Sequence, residues 1–215
     1  MTPGPNAGLG TPAPSDAVVL LGEDTGLNAW QQDGGGDAAW VLVEPGVVRV
    51  QPGTGTLATK QSFGDCQLHI EWMCPGDQAH RTSQNRGNSG VFLMGLYELQ
   101  VLSSYHNDTY ADGMAAAIYG QHPPRVNASR PMGQWQSYDI TFRRPRFDAA
   151  GNLMRPARMT VFHNGLLVHD HVELVGPASH MEQRSYEAHA DALPLKLQDH
   201  GEPVHFRNIW IRALE

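Results

Sequence analysis

The sequence has no apolar run approaching the ~20 residues that cross a membrane as a helix, so a helical membrane span is not expected. It is short of cations: 15 Lys and Arg against 22 Asp and Glu give a formal net charge of −7. A nucleic-acid surface needs clustered cations to release counterions, and this chain is poorly supplied with them. Charged residues make only 17% of the total, below the ~25% of an average domain. Cysteine is nearly missing. Cys66 and Cys74 flank the segment QLHIEWM. If that segment is a strand at ~3.3 Å per residue, the two thiols lie far beyond the ~7 Å Cα limit of a disulfide and stay free. No segment sustains a 3.6-residue apolar period over three turns, which excludes a coiled coil. DGMAAAIYG is short and Gly-bounded, enough for one or two turns.

The chain is rich in turn formers, with 23 Gly and 15 Pro. Its 215 residues suit one large domain or two small ones. Residues 1–16, MTPGPNAGLGTPAPSD, read as a disordered Pro/Gly tail. The tail lacks the charged and apolar regions of an export signal. The compartment stays open, cytoplasmic if the sequence is complete. No linker interrupts the pattern afterwards, so residues 17–215 form one domain.

That domain reads as ten to twelve strands. VLVE and VVRVQ are joined at Pro45-Gly46 as a hairpin. Leu68, Ile70 and Trp72 alternate with His69, Glu71 and Met73. Tyr97, Leu99 and Val101 alternate with Glu98, Gln100 and Leu102, after a break at Gly95. Tyr138, Ile140 and Phe142 alternate with Ser137, Asp139 and Thr141. Asn164-Gly165 between apolar runs is a strong hairpin signal. Many short strands with frequent turns give an all-β sandwich or jelly roll. GPASHMEQRSYEAHADALP, residues 176–194, has no strand pattern and reads as a long surface loop, a common place for function.

In a two-sheet sandwich the apolar face of each strand enters the core and the other meets solvent or ligand. Alternation therefore turns Glu71, Glu98 and Gln100 outward, where they would line one concave face together; the alternative is solvated carboxylates. His200 follows Asp199 directly, and a neighbouring carboxylate can hold and tune an imidazole as an acid or base. Arg207 points outward if Phe206 is buried, to meet a ligand oxygen or form a structural ion pair. Asn88 either caps a turn or offers its amide. Tyr119 and Trp135 either stack on a ligand or fill the core. Tyr105 and His106 read as a loop at the cleft rim. His69, His80, His122, His163 and His189 have no special sequence neighbours. His169 and His171 would share a strand face that a metal could use, but solvated histidines are the commoner case, and no metal site is assigned. A structural Ca²⁺ on Asp108 and Asp112 stays open, and no cofactor is predicted.

One ordered set of motifs says more than any of these alone. It runs Gly87-Asn88-Ser89-Gly90-Val91-Phe92-Leu93, Tyr97-Glu98-Leu99-Gln100-Val101-Leu102, Thr109-Tyr110-Ala111-Asp112-Gly113 and Ala117-Ile118-Tyr119-Gly120. It continues with Val126-Asn127-Ala128-Ser129-Arg130-Pro131, Trp135-Gln136-Ser137-Tyr138-Asp139-Ile140, Pro156-Ala157-Arg158 and His163-Asn164-Gly165. Leu197-Gln198-Asp199-His200-Gly201 and Phe206-Arg207-Asn208-Ile209-Trp210-Ile211 close it. From Val18 to Leu214 this resembles domain-of-unknown-function family 1080, described as 3-keto-disaccharide hydrolases.

The resemblance implies a concanavalin A-like jelly roll whose concave sheet binds sugar. It implies cleavage of glycosides whose C3 hydroxyl a separate dehydrogenase has oxidised to a ketone. The ketone acidifies the C2–H, so a base removes that proton, the C1 substituent leaves by β-elimination, and water is added back. Such a site needs a base, donors for the enolate oxygen and an acid for the leaving oxygen. On this reading Glu71, Glu98 and His200 carry acid/base work, with base and acid not distinguished. Asp199 orients His200; Asn88, Gln100, Tyr119 and Arg207 hold substrate. The partner is a carbohydrate, and the oligomeric state is open. Relatives are typically exported in bacteria. A non-catalytic lectin-like module is the alternative. A two-carboxylate glycosidase is disfavoured. The Glu-x-Asp-x-x-Glu strand of the fold's glucanases is here Glu98-Leu99-Gln100, and an amide cannot take the carboxylate's part.

Overall fold

The computed structural model describes residues 2–180 and 182–215. Among the described residues there are fifteen strands, three short 3₁₀ turns and no α-helix. In chain order the strands are β1 (Val18–Leu21), β2 (Trp30–Gln32), β3 (Val41–Glu44), β4 (Val47–Arg49) and β5 (Leu57–Phe63). Next come β6 (Cys66–Met73), β7 (Ser89–Leu93), β8 (Tyr97–Val101), β9 (Gln136–Arg143) and β10 (Arg146–Phe147). The last are β11 (Leu153–Arg155), β12 (Arg158–His163), β13 (Leu166–Glu173), β14 (Leu193–Leu197) and β15 (His205–Ala213). The surplus over ten to twelve includes β10 and β11, of two and three residues, too short for alternation to register. DGMAAAIYG holds only the 3₁₀ turn Ala111–Gly113.

One sheet runs β13-β12-β9-β6-β15-β4-β3, with β1 also paired to β15. The second runs β2-β5-β14-β7-β8, and β10-β11 form a separate hairpin. β15 holds the first sheet together: β6 pairs along one side, β4 and then β1 along the other.

The core lies between the two sheets, where alternation placed it. Leu68, Ile70, Trp72, Tyr138, Ile140 and Phe142 come from one sheet; Val91, Leu93, Tyr97, Leu99, Val101, Leu195 and Leu197 from the other. Each fully buried aliphatic side chain contributes roughly 1.5–3 kcal/mol. Two contacts tie the layers: Tyr97 packs on Phe142 at 5.5 Å, and the Tyr138 hydroxyl donates to the Gln100 carbonyl at 2.7 Å. This is the expected all-β jelly-roll sandwich. Cys66 and Cys74 are free and buried, and burial pushes the Cys66 thiol up to about 12. Among the described residues no helix is long and apolar enough to cross a membrane.

The segment expected to be a disordered tail lies instead across the outer face of the first sheet. Arg130 donates to the carbonyls of Gly4 and Ala7, at 3.1 and 3.0 Å. The Thr11 carbonyl accepts from Asn208 Nδ2 and Trp210 Nε1, both at 3.1 Å. Its few apolar side chains gave no sign of this, because the strap is held through its backbone.

Candidate active site

The turn Met94–Gly95, with φ of 54° and 66°, folds β8 back on β7. Gly90 then faces Gln100, and Phe92 faces Glu98. Tyr97, Leu99 and Val101 fill the core, so Glu98 and Gln100 stand on the outer face of the five-stranded sheet, as alternation required. They are nevertheless buried, at 6% and 1% exposed. The segment around residues 116–119 covers the edge of β8. Ala116 N–H donates to the Gln100 carbonyl, Gln100 N–H to that of Ala117, and Tyr119 N–H to that of Glu98.

These groups line a cavity of about 230 Å³ with Asn88, Phe92, Tyr119, Gln198 and His200; Ala178, Ser179 and His180 of the long loop form one wall. Of the eight expected site residues, Asn88, Glu98, Gln100, Tyr119 and His200 therefore meet. A side chain at Gly90 would collide with Glu98 Oε1 and the Phe92 ring, so glycine lets the carboxyl lie against β7. Among the described residues Glu98 has no ion-pair partner. Burial alone pushes its pKa up to about 8. Gln100 Nε2 donates to Gln84 Oε1 and the Gly113 carbonyl, at 3.1 and 3.2 Å. Both partners are acceptors, which fixes the amide, and among the described residues Gln100 Oε1 has no donor. Asn88 Nδ2 donates to the Gln84 carbonyl at 2.8 Å. A buried carboxyl and a buried amide oxygen without donors suit a ligand rich in hydroxyls.

Glu71 and Arg207 are elsewhere. They sit on the other sheet, so the expectation that Glu71, Glu98 and Gln100 share one face is wrong. Alternation tells a residue's face on its own strand, not which sheet the strand joins. Glu71 lies beneath the strap. Its carboxylate accepts from Gly10 N–H at 2.6 Å, Asn208 Nδ2 at 2.9 Å and Arg207 Nε at 2.7 Å, with His69 Nε2 at 3.5 Å. Burial would raise its pKa, but His69, Asn208, Gly10 and Arg207 outweigh burial and hold it at about 2. Arg207 also lies 4.1 Å over the Trp135 ring. Of the two readings of Arg207, the ion pair is the one observed.

His69, expected to have no special neighbours, is fully buried and bonds Asp139 at 2.7 Å. Burial would lower its pKa; the hydrogen bonds and charges of Asp139 and Glu71 more than reverse that and raise it. His163 is also buried, where loss of water drives it down to about 3. His189 bonds the Tyr97 hydroxyl at 2.8 Å.

Asp199 does not orient His200. Its oxygens accept from Gly201 N–H at 2.8 Å and Gly55 N–H at 3.0 Å, an Asx-type turn tied to a neighbouring loop. Tyr105 and His106 line a different cavity, of about 600 Å³, beside the strap. His169 and His171 are separated by an irregularity in the pairing of β12 with β13, and His171 has φ of 52°. His169 is buried on the Ala116 carbonyl, while His171 is exposed beside Arg158. Among the described residues no group of three or more His, Cys, Asp or Glu could hold a metal.

Sequence reasoning missed His180, Gln84 and Gln198. His180 lies in the loop without strand pattern, whose length was the one available signal. Gln198 precedes Asp199 in the Leu-Gln-Asp-His-Gly motif and was passed over for its charged neighbours.

An all-β jelly roll carrying a polar cleft with a buried carboxyl belongs among the carbohydrate-active sandwiches. More narrowly, a model of the 3-keto-alpha-glucoside-1,2-lyase-like domain matches residues 16–212, and the chain belongs to that family. A presumed glycosyl hydrolase from Parabacteroides distasonis ATCC 8503 is 42% identical, with a TM-score of 0.92 over 99% of this chain and 90% of its own. A second from the same organism has 18% identity and a TM-score of 0.65, over 93% of this chain and 94% of its own. At that identity it speaks for the fold alone. Among curated proteins none matches this chain.

Proposed function

We propose that the chain cleaves 3-keto-glycosides at the Glu98 cleft, by proton abstraction at C2 and β-elimination of the C1 substituent, followed by hydration. The observation that carries this is Glu98: a buried carboxyl, without a cationic partner among the described residues, whose pKa burial pushes up to about 8, in a cavity of about 230 Å³. A carboxylate with an ordinary pKa is a weak base towards carbon acids, and a value near the working pH improves the proton transfer. The substrate's own ketone makes C2–H acidic enough for it.

Glu98 takes the C2 proton. The released electron pair is shared with the C3 carbonyl as an enolate. Its return expels the C1 oxygen with the bonding pair, leaving a C1=C2 double bond and an alkoxide that takes a proton from a donor in the cleft or from water. Water added across that bond gives the free 3-keto sugar. Asn88, His200 and the Gln100 amide oxygen hold the ring through its hydroxyls. Family membership supports the substrate class.

The test pairs 4-nitrophenyl glucoside with its 3-keto derivative. Only the keto form should be turned over, with kcat/KM rising as pH rises to about 8, since the base must be ionised. Glu98→Gln should lower kcat by about 1,000-fold. Saturable binding of both compounds with turnover of neither would make the domain a lectin-like module.

A further inference from the structure

The Glu98 cavity has a neighbour. A second cavity, of about 590 Å³, is lined by Tyr110, Asp112, Gly120 and Glu182 and shares Tyr119 and His180 with the first. Tyr119 and His180 thus form the boundary common to both cavities. Tyr119 Oη lies 2.8 Å from Tyr110 Oη and 2.8 Å from His180 Nδ1. Tyr119 Oη can accept from the Tyr110 hydroxyl and from His180 Nδ1–H together, and in that arrangement its own proton is free to point towards a ligand. Tyr110 is 42% exposed, and its ring lies over Gly113, where any side chain would displace it. One aromatic face is thus held out towards the second cavity.

Resting on the elimination reading, we infer that the second cavity is the leaving-group subsite. It takes an O-linked group with a flat hydrophobic face, an aryl or pyranose ring, against Tyr110, and Tyr119 protonates the departing oxygen. The step balances. The C1–O bond breaks with its electron pair on the leaving oxygen, Tyr119 O–H transfers its proton there, and the phenolate recovers one through His180 from solvent. Glu98 keeps the C2 proton until the product leaves. Burial, first, and the bond to Tyr110 raise the Tyr119 pKa. The hydroxyl therefore stays protonated until a strongly basic alkoxide develops beside it.

The experiment uses three 3-keto-glucosides, with methanol, 4-nitrophenol and glucose as leaving groups, and the variants Tyr119→Phe, Tyr110→Ala and Glu98→Gln. 4-Nitrophenolate needs no proton to leave. Tyr119→Phe should therefore cost about 100-fold in kcat on the methyl and glucosyl substrates and less than about 5-fold on 4-nitrophenyl. Tyr110→Ala should raise KM about 10-fold for the two ring-bearing leaving groups and leave the KM of the methyl substrate unchanged. An equal loss on all three substrates with Tyr119→Phe overturns the acid, and a KM change shared by the methyl substrate with Tyr110→Ala overturns the subsite. If Glu98→Gln abolishes all turnover in either case, the elimination reading survives. If Glu98→Gln stays active, or no keto-glycoside is cleaved, both readings fall.

Discussion

Glu98 and Glu71 are the same side chain on the outer faces of two sheets of one sandwich, and their environments drive them apart. Both are buried. Glu98 meets no cation among the described residues and rises to about 8. Glu71 meets a guanidinium, an imidazole, an amide and a backbone N–H, and falls to about 2. Burial alone therefore says little about a carboxylate. What decides is whether the fold supplies partners for its charge. The five-stranded sheet leaves its carboxyl unpartnered beside a cavity, as a proton-transferring group requires. The eight-stranded sheet closes its own under a strap and spends every lone pair on structure.

Three measurements probe that contrast, the largest effect first. Glu71→Gln should lower stability by about 3 kcal/mol at pH 7, because it leaves Arg207 and His69 without their counter-charge. The folded pKa of Glu71 lies below its unfolded value of about 4.5. Its contribution is therefore full above that value and fades as pH falls towards 2. Urea titrations should show the variant and the wild type converging over that window; a gap independent of pH would mean Glu71 contributes shape and not charge.

Glu98→Gln should do the reverse. The folded pKa lies above the unfolded one, so the wild type loses stability progressively from pH 4.5 up to about 8. The variant should be more stable than the wild type at pH 9 and indistinguishable below pH 4. A variant less stable at pH 9 would show that the carboxylate has partners after all.

The smallest effect belongs to Asp199→Ala, which removes a turn-holding acceptor and should cost about 1 kcal/mol. The pH dependence of kcat/KM should not move. A shifted profile would restore the coupling between Asp199 and His200 that their hydrogen bonding argues against.

The parts of this molecule legible in the sequence are those with local causes. Leu68, Ile70 and Trp72 alternate, and Asn164-Gly165 turns, through contacts within a few residues. Glu98 and Gln100 could be turned outward for the same reason. The pairing of His69 with Asp139 could not be seen, because it depends on β6 lying beside β9, 70 residues on. Neither could the burial of Glu71, which depends on a Pro/Gly-rich segment acting through its carbonyls and N–H groups. His180 reaches the cleft from a loop whose path obeys no period. Tyr110 lies in the Thr-Tyr-Ala-Asp-Gly motif, but only the hydrogen bond to Tyr119 marks it.

β15 comes after every other strand in the chain and is the neighbour that β1, β4 and β6 all need. During synthesis the first sheet therefore cannot close until residues 205–213 have emerged. Until then β6 has one edge bare, β1 has no partner, and the hairpin of β3 with β4 has nothing to dock on. Such open edges are templates for pairing with other chains. The nascent chain remains an unfinished sheet until β15 has emerged. Folding then completes in a late step that is slow for its size, because its decisive contacts span nearly the whole sequence.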